Sequence, residues 1–377
     1  MILQILGANI AVDLSDLPDS LAAPVREAWR HCTVDNFDHL DREIRVITHP
    51  DDKHSDDDLV VGETKEDITY RVSQHLTRLL IAWHAGRSLM FHAAGLTSPD
   101  SGKVIGVIAP SGTGKTTFCE MLTHEFGYVT DETLVIARSG EVFPYQKPLS
   151  IIRRSIVASK QDYSPLDLGL TLPNAEKLSL GALVLAERSP KVGSEELIPM
   201  TLAEAMEDVI GQTSSLFKLE NPLDFLASVL VQAGGPWKLR FHDQSKCADL
   251  LKQLAHQNDV GVSYRHIPGT LDGTATLNPH NYGPIAEHDR FVRAPWTDAI
   301  ESEGHVIILV GHQPLILGGA GAAVWLACEH AATITELHAQ VVSTLGEHPG
   351  SWRLVEEAMG TLVSQGVLIE VRNLNEC

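Results

Sequence analysis

The chain of 377 residues has few basic residues and no long hydrophobic run, and each shortage excludes a class of protein. It has 29 Lys and Arg residues and 49 Asp and Glu residues, which gives a formal net charge of −20. A nucleic-acid-binding protein normally presents a basic face, so this balance argues against nucleic acid as a partner. No apolar run approaches the roughly 20 residues that a membrane-spanning helix needs. We therefore expect neither a nucleic-acid partner nor a membrane partner.

Cysteine is also scarce. The five cysteines are odd in number and widely scattered, and no C-x-x-C pair occurs. This pattern argues against a disulfide framework or a structural zinc site and favours a reducing, cytoplasmic location. Eighteen histidines are present, but without an H-E-x-x-H motif or a tight cluster we expect no histidine metal site. The apolar N-terminus lacks a positively charged region, which indicates a strand rather than a signal peptide.

The length suggests two or three domains, each large enough to bury a core. Composition and patterning place boundaries that give a mixed α/β segment at 1–68 packing on a second domain at 69–255, a linker at 256–286 and a small domain at 287–377. The linker is rich in Gly, Pro, Asn and Thr and has little periodicity. Within the first segment, the acidic run DDKHSDDD (Asp51 to Asp58) is typical of a solvated loop.

Hydrophobic periodicity predicts the elements of the second domain. Apolar residues at helical spacing indicate helices at about 68–86 and 117–126, and the stretch 201–254 is mostly helical in pattern. Short apolar runs indicate two adjacent strands at 88–96 and 103–109, a strand at 128–137 and a buried strand at 180–188.

The strongest chemical signal is APSGTGKTT, Ala109 to Thr117, between a predicted strand and a predicted helix. This is the looser form of the phosphate loop, in which glycines allow tight turns and backbone N–H groups point at phosphate oxygens. The lysine supplies positive charge to the β- and γ-phosphates, and the following threonine hydroxyl can bind Mg²⁺. The predicted nucleotide-binding residues are Ser111, Gly112, Thr113, Gly114, Lys115, Thr116 and Thr117.

Two acidic residues, Asp131 and Glu132, follow Lys115 by only 16 and 17 positions. That spacing is too short for the usual order of an ATPase and favours a smaller kinase-type arrangement. The chain also lacks the N-K-x-D motif with which GTPases read their base, so GTPase activity is disfavoured. The alternative for the acidic pair is a strand end with two solvated carboxylates.

Three segments together, FHAAGL (Phe91 to Leu96), GVIAPSGTGKTT and GYVTDE (Gly127 to Glu132), resemble the catalytic core of the HPr kinase/phosphorylase family. The resemblance covers about residues 70–255. It implies phosphoryl transfer from ATP with Mg²⁺, with Asp131, His92 and Lys115 as catalytic residues and Thr116 and Glu132 as metal ligands. Asp131 would accept the proton of the acceptor hydroxyl. Glu132 departs from the family pattern, which has a second Asp, and the later glycine-rich signature of the family is missing.

Other residues near this core have two interpretations each. His92 either contacts the phosphates or the acceptor, or is a structural histidine. The segment FPYQKPLSI (Phe143 to Ile151) resembles divergent HPr-kinase-like proteins encoded near peptide-modifying genes, so the HPr protein is not the expected substrate. Lys147 lies in this segment. The resemblance alone implies that it lies near the site, and we favour the interpretation of a surface lysine. Glu187 and Arg188 end a buried strand, where site residues often lie, but a surface ion pair explains them as well.

The last domain carries a second set of motifs: A-x-x-W (Ala322 to Trp325), T-x-x-E-L (Thr333 to Leu337) and L-x-x-x-G-V-L (Leu362 to Leu368). Thr333 and Glu336 form a predicted capping box at a helix start. Over about 288–372 the chain resembles the PqqD-type fold, or RiPP recognition element. That resemblance implies capture of a leader peptide as an added strand, in a sheet that includes Val306 to Val310. The alternative is a winged-helix-like structural domain.

Together these expectations describe an α/β protein with an HPr kinase-like phosphate-loop core and a small α+β, winged-helix-like PqqD-type domain. The expected function is ATP-dependent phosphorylation of a ribosomally synthesised precursor peptide, on a Ser or Thr hydroxyl or alternatively on a carboxylate. Two alternatives remain: a nucleotide-switched peptide-binding scaffold without transfer activity, and a small-molecule kinase. The sequence leaves open the identity of the peptide, the base preference, the fate of the phosphate and whether a homo-oligomer forms.

Overall fold

The fold is described from a computed structural model. It describes residues 1–49, 58–98, 101–110, 112–122, 124–152, 160–175, 177–190, 193–256, 261–270 and 285–371. Over these ranges the protein is a mixed α/β protein with 35% helix, 31% strand and several sheets. None of the helices in these ranges is both long and apolar enough to cross a membrane. Most of the predicted acidic loop, residues 51–57, lies outside the described residues.

The helices and strands are numbered in chain order. The described strands are β1 Ile2–Ile5, β2 Ala8–Asp13, β3 Arg42–Ile47, β4 Leu59–Val61, β5 Leu89–Thr97, β6 Lys103–Ile108, β7 Gly127–Thr130, β8 Thr133–Ile136, β9 Glu141–Phe143, β10 Leu149–Ile152, β11 Lys160–Tyr163, β12 Leu178–Arg188, β13 Glu196–Pro199, β14 Trp237–Phe241, β15 Arg265–Pro268, β16 Arg290–Arg293, β17 Asp298–Ser302, β18 His305–Val310, β19 Gln313–Gly318, β20 Ala332–Thr333 and β21 Leu368–Glu370. The described helices are α1 Asp19–Trp29, α2 Lys65–His84, α3 Lys115–Leu122, α4 Leu202–Ile210, α5 Pro222–Gln232, α6 Ala248–His256, α7 Gly319–Ala327, α8 Ile334–Leu345 and α9 Ser351–Ser364.

The chain forms two compact units. The first contains 1–200, 211–216 and 232–260, and the second contains 201–210, 217–231 and 261–377. The predicted domain 69–255 contains α4 and α5, which this division assigns to the second unit.

The N-terminal part of the first unit is a four-stranded sheet in the order β1-β2-β3-β4, covered by α1 and α2. The predicted helix at 68–86 is confirmed as α2. It starts earlier than predicted because the Thr64 side chain accepts a hydrogen bond from the Asp67 N–H and caps the helix. The apolar core of this sheet continues to Met90, Val135 and Tyr145, so it is shared with the strands that follow.

The central sheet of the first unit has eight strands in the order β13-β14-β12-β6-β5-β8-β9, with β7 paired to β5. The predicted neighbouring strands at 88–96 and 103–109 are confirmed as the antiparallel pair β5 and β6, in which Ala93 lies opposite Ile108. β12 runs parallel to β6 on the other side. The predicted strand at 128–137 is instead two short strands, because Asp131 and Glu132 turn the chain between β7 and β8.

Helices α3 and α6 share an apolar cluster with residues of β5, β6, β12 and β14, which fixes the helix that follows the phosphate loop. Phe118 of α3 meets Phe241 of β14 edge-on, with ring centroids 5.1 Å apart. The prediction that 201–254 is mostly helical is wrong at β14. There Leu239 and Phe241 are buried at the two-residue spacing of a strand.

The second unit contains two small sheets, β15-β17-β18-β19 and β20-β16-β21, together with helices α4, α5, α7, α8 and α9. The predicted capping box of Thr333 and Glu336 is confirmed at the start of α8. β15 lies within the predicted linker 256–286, and residues 257–260 and 271–284 of that linker lie outside the described residues.

Helix α5 is tied to the second unit by a buried carboxylate. Asp298, at the start of β17, accepts hydrogen bonds from the N–H groups of Leu223 (2.7 Å) and Asp224 (3.2 Å) in the first turn of α5. Its other oxygen lies 2.7 Å from His266 Nε2 of β15. Asp298 therefore supplies from another strand the acceptor that the first turn of a helix lacks.

Candidate active site

The phosphate-loop motif lies where the sequence placed it, between the end of β6 and the start of α3. Gly112 and Gly114 have φ values of +83° and +101°, in the left-handed region that favours glycine. These turns bring the chain into the first turn of α3, where free backbone N–H groups and the helix dipole favour an anion. Of the predicted nucleotide-binding residues, Ser111 lies outside the described residues.

Lys115 folds back over its own loop. Its Nζ donates hydrogen bonds to the carbonyl oxygens of Ala109 (2.8 Å) and Pro110 (3.3 Å). Burial lowers the pKa of Lys115, the negative charges of Asp131 and Glu132 raise it, and the net result lies below the ordinary lysine value. The ammonium group thus lies at the mouth of the loop, within reach of phosphate oxygens that would replace the two carbonyls.

The phosphate loop is joined directly to the acidic turn. Thr116 Oγ1 donates a hydrogen bond of 2.8 Å to Asp131 Oδ2. Asp131 lies between β7 and β8, and β7 pairs with β5 next to β6, so the sheet itself brings the two segments together. The structure therefore brings together Thr116 and Asp131, two residues selected independently from separate motifs.

Lys147 completes this cluster from the loop that follows β9. Its Nζ lies 3.3 Å from Asp131 Oδ1 and 3.3 Å from Glu132 Oε2, and its side chain is only 8% exposed. Burial alone would lower the pKa of Lys147, but the two carboxylates outweigh it and raise the pKa above the ordinary lysine value. The interpretation of Lys147 as a surface lysine was therefore wrong. A single Lys before Pro carries no sequence signal that separates a buried ion pair from a surface charge.

A buried tyrosine that sequence reasoning missed supports the same carboxylate. Tyr128 Oη lies 3.1 Å from Asp131 Oδ1 and 3.2 Å from the carbonyl oxygen of Lys147, so its hydroxyl donates toward both. Burial first, and then the charge of Asp131, raise the pKa of Tyr128 well above its ordinary value, so the phenol stays a donor. Tyr128 precedes Asp131 by three residues. Residues that share a face of a strand are two apart, so this spacing did not predict the contact.

The two acidic residues differ in accessibility. The Asp131 side chain is 5% exposed, and both of its oxygens have partners in Thr116, Tyr128 and Lys147. The Glu132 side chain is 34% exposed. The alternative of two solvated carboxylates at a strand end therefore does not describe Asp131.

His92 lies in β5, at the end of the sheet where β6 leads into the phosphate loop. Its neighbour Ala93 pairs with Ile108, the last residue before the phosphate loop, and His92 itself lies opposite Thr133, which follows Glu132. The His92 side chain is exposed. Its backbone N–H donates a 2.8 Å hydrogen bond to the carbonyl oxygen of Gln212. The strand pairing thus places His92 between the two motifs, although no side-chain hydrogen bond or ion pair joins it to the described residues of either.

A second residue that the sequence did not indicate, Gln244, contacts the phosphate loop through its side chain. Gln244 is buried, and its Nε2 donates a 3.4 Å hydrogen bond to the carbonyl oxygen of Thr113. A Cβ atom at Gly114 would lie only 2.5 Å from the same Nε2. Gly114 is therefore required both by its backbone conformation and by the space that Gln244 fills.

Glu187, at the end of β12, lies 3.8 Å from Lys238 Nζ and 3.6 Å from Arg240 Nε, in half-exposed ion pairs. This is the surface ion pair that the sequence allowed, made with β14 rather than with Arg188.

The oxygen donors at the end of the loop fit a hard cation such as Mg²⁺, which prefers a few protein oxygens together with phosphate and water. Thr116 Oγ1 and the carboxylates of Asp131 and Glu132 supply such donors. Across the described part of the chain, no group of three or more His, Cys, Asp or Glu side chains is arranged to hold a metal ion by itself. Any Mg²⁺ here would depend on the nucleotide for most of its ligands.

In comparisons with known proteins, no protein-family model matches the chain, and no curated protein sequence matches it.

Proposed function

We propose that the protein is an ATP-dependent phosphotransferase that phosphorylates a ribosomally synthesised precursor peptide. The observation that carries the proposal is the 2.8 Å hydrogen bond between Thr116 of the phosphate loop and Asp131 of the acidic turn. In a glycine turn without a phosphate-binding role, the threonine would not need to donate a hydrogen bond to a buried carboxylate that is also paired with a lysine. Phosphoryl transfer needs this combination of phosphate-binding backbone, cation and acid.

The fold of the first unit supports the finer assignment to an HPr kinase-like core. A strand carrying His92 runs antiparallel to the strand that enters the loop, and the acidic turn directly follows β7, the strand after the helix of the loop. This is the order of motifs on which the sequence resemblance depends.

In the proposed reaction, the loop backbone, Lys115 and the start of α3 hold the phosphates of ATP. The acceptor oxygen forms a bond to the γ-phosphorus, the bond from that phosphorus to the β–γ bridging oxygen breaks, ADP leaves, and the proton of the acceptor hydroxyl passes to a carboxylate. Mg²⁺, held by Thr116 and Asp131, would neutralise charge on the phosphate oxygens when bound. The protein's share is positioning and charge stabilisation.

The contacts favour one division of roles within the acidic pair. Sequence reasoning gave the proton to Asp131 and the metal to Glu132. Asp131 is buried and its oxygens are occupied by Thr116, Tyr128 and Lys147, which suits a residue that orients the metal side of the site. Glu132 is the more exposed carboxylate and suits a group that must reach an incoming hydroxyl. We therefore propose that Glu132 accepts the proton and that Asp131, together with Thr116, helps to hold the metal ion.

The peptide-binding half of the proposal depends on the second unit. Among the described strands, β19 and β15 are the two edge strands of the sheet β15-β17-β18-β19. An extended peptide could add to β19 through main-chain hydrogen bonds, which is how strand-adding modules bind. The sheet includes Val306 to Val310, as expected, and α7 follows it directly. This arrangement supports the PqqD-type interpretation.

The test is incubation of the purified full-length protein with Mg-ATP and with each short peptide found to be encoded near its gene, with mass spectrometry of the peptides and measurement of ADP. We expect a mass gain of one phosphoryl group on the peptide. The Asp131→Asn variant tests the scaffold alternative. If the wild type binds the peptide without transferring phosphate, and the variant binds it equally well, the protein is a scaffold. Release of ADP with a small molecule, independent of any leader, would favour a small-molecule kinase.

Leader dependence is best tested on the peptide and not by truncating the protein. α4 contacts β18 and β19, so removal of 286–377 would strip α4 of its packing partners. A substrate peptide without its leader should be phosphorylated with a much higher KM and a similar kcat, because strand addition supplies affinity and not chemistry.

A further inference from the structure

The first unit contains a basic cavity that the proposed phosphotransfer does not use. It has a volume of about 610 Å³, within the usual range for a small-molecule site. One side is a face of α2, with His75, Leu79 and Trp83 at intervals of four residues. The other side is β4, the edge strand of the N-terminal sheet, with Leu59 and the preceding Asp58.

The charge of the cavity is opposite to that of the protein. Three arginines line it, Arg42, Arg78 and Arg87, together with the single carboxylate of Asp58. Arg42 Nε is paired with that carboxylate at 2.8 Å. Within the described part of the chain, neither Arg78 nor Arg87 forms a salt bridge to an acidic side chain. Among the described residues that line the cavity, the arginines therefore exceed the carboxylates by two, in a chain whose net charge is −20.

An apolar wall adjoins these arginines. Leu79 and Ala82 of α2 line the cavity beside Trp83, and the Arg87 guanidinium lies 4.7 Å from the centroid of the Trp83 ring. A guanidinium held over an aromatic ring keeps its edge N–H groups available as a fork of donors. The cavity thus offers both guanidinium groups that can donate paired hydrogen bonds and an aromatic surface.

We propose that this cavity binds a phosphomonoester whose phosphate is attached next to an apolar or aromatic group. A phosphomonoester carries a charge of about −1.5 to −2 at neutral pH, which matches the two uncompensated guanidinium groups. Arginine forks recognise phosphate oxygens in pairs, and the Trp83 wall accepts the attached group. This binding site is separate from the phosphate loop, none of whose described residues line the cavity. It stands whether or not the proposed function is correct.

The experiment is isothermal titration calorimetry of the Lys115→Ala variant, in which the phosphate loop is weakened. The probes are phenyl phosphate, a tripeptide with a central phosphoserine, inorganic phosphate and phenol. We expect phenyl phosphate to bind and phenol not to bind. If the phosphoserine peptide binds as tightly as phenyl phosphate, the source of the phosphate is a phosphorylated peptide. If it binds more weakly than phenyl phosphate, the source is a small aromatic phosphate. Loss of all binding in Lys115→Ala would assign the phosphate to the loop and overturn the proposal.

Substitutions on α2 and just after it locate the binding. In the same background, Arg78→Ala and Arg87→Ala should each weaken phenyl phosphate at least about 10-fold, since each removes a charge-assisted pair of hydrogen bonds. Arg71→Ala is the matched control, because Arg71 is on the same helix, is paired with Asp67 and does not line the cavity. Trp83→Leu should weaken phenyl phosphate but not inorganic phosphate. Equal affinities for Arg78→Ala, Arg87→Ala and Arg71→Ala would overturn the proposal.

Discussion

The ammonium nitrogen of Lys147 lies 3.3 Å from a carboxylate oxygen of Asp131, and both side chains are almost excluded from solvent. The two residues come from different loops, one after β9 and one between β7 and β8. Because water solvates neither charge, each depends on the other for compensation. The acidic turn that faces the phosphate loop is therefore built by a long-range ion pair.

The first prediction concerns this pair. Lys147→Met leaves a buried carboxylate uncompensated and should lower the free energy of unfolding by about 3–5 kcal/mol. Lys252→Met is the control, since Lys252 is half-exposed and paired with Glu125 at the surface. It should cost no more than about 1 kcal/mol. Urea denaturation at neutral pH measures both.

The double variant Lys147→Met/Asp131→Asn removes both charges and should be more stable than Lys147→Met alone. Such non-additivity is the signature of two groups in direct contact. Additive losses in the double variant would mean that the two side chains do not compensate each other.

The second prediction concerns the two loop glycines. Gly112→Ala and Gly114→Ala both force an alanine into the left-handed region, at a cost of roughly 1–2 kcal/mol. Only at Gly114 does the new Cβ also meet Gln244 Nε2, at 2.5 Å, since no atom of the described residues lies within 4 Å of a Cβ at Gly112. Gly114→Ala should therefore weaken Mg-ATP binding more than Gly112→Ala, as measured by calorimetry. Adding Gln244→Ala should restore part of the affinity to Gly114→Ala, and no restoration would show that the contact is unimportant.

The third prediction separates the roles of the acidic pair. Glu132→Gln should keep Mg-ATP binding and lower kcat by about 10²–10⁴-fold, the usual contribution of a general base. Asp131→Asn disturbs Thr116, Tyr128 and Lys147 together and should weaken the binding of Mg-ATP as well as turnover. If Asp131→Asn instead keeps full nucleotide affinity and loses only transfer, the proton acceptor is Asp131, as sequence reasoning had it.

The fourth prediction concerns pH. His84, at the end of α2, is buried with Nε2 2.8 Å from the carbonyl oxygen of Leu6 and Nδ1 3.1 Å from Ser88 Oγ. Burial, together with the charge of Arg87, lowers the pKa of His84 below its ordinary value, despite the opposing hydrogen bond to Leu6. The unfolded chain therefore binds the proton more tightly than the folded one. The free energy of unfolding should fall as the pH drops through about 6.5, the unfolded value, toward the lower folded pKa.

His84→Gln keeps a donor for Leu6 but cannot titrate. Its free energy of unfolding should depend less on pH between about 5.5 and 7.5 than that of the wild type, as measured by urea denaturation. Identical pH dependence in the two proteins would show that His84 contributes nothing to it.

The sequence predicted the parts of the site that local rules govern. Gly112, Gly114, Lys115 and Thr116 lie in one short segment, and the strand before them and the helix after them follow from periodicity. The pairing of β5 with β6 followed from two apolar runs joined by a turn. Each of these signals is complete within about twenty residues.

Residues that reach the site across the fold had no such signal. Gln244 and Lys147 lie 130 and 32 residues from Gly114 and Lys115, and neither residue type is unusual at a surface. β14 was missed because its neighbours on both sides are helical and its five residues are too few to establish a period. The placement of α4 and α5 in the second unit depends on tertiary contacts, such as that of Asp298 with the start of α5, that periodicity cannot predict.

The central claim is that the segment from Ala109 to Thr117 holds nucleotide phosphates for transfer beside Asp131. The most direct measurement is titration of Mg-ATP into the full-length wild type and into Lys115→Ala, followed by mass spectrometry of candidate precursor peptides encoded near the gene after incubation with each. The account predicts nucleotide binding and a phosphorylated peptide with the wild type, and loss of both with Lys115→Ala. Equal Mg-ATP affinity in the two proteins, or a phosphorylated peptide from the variant, would contradict it.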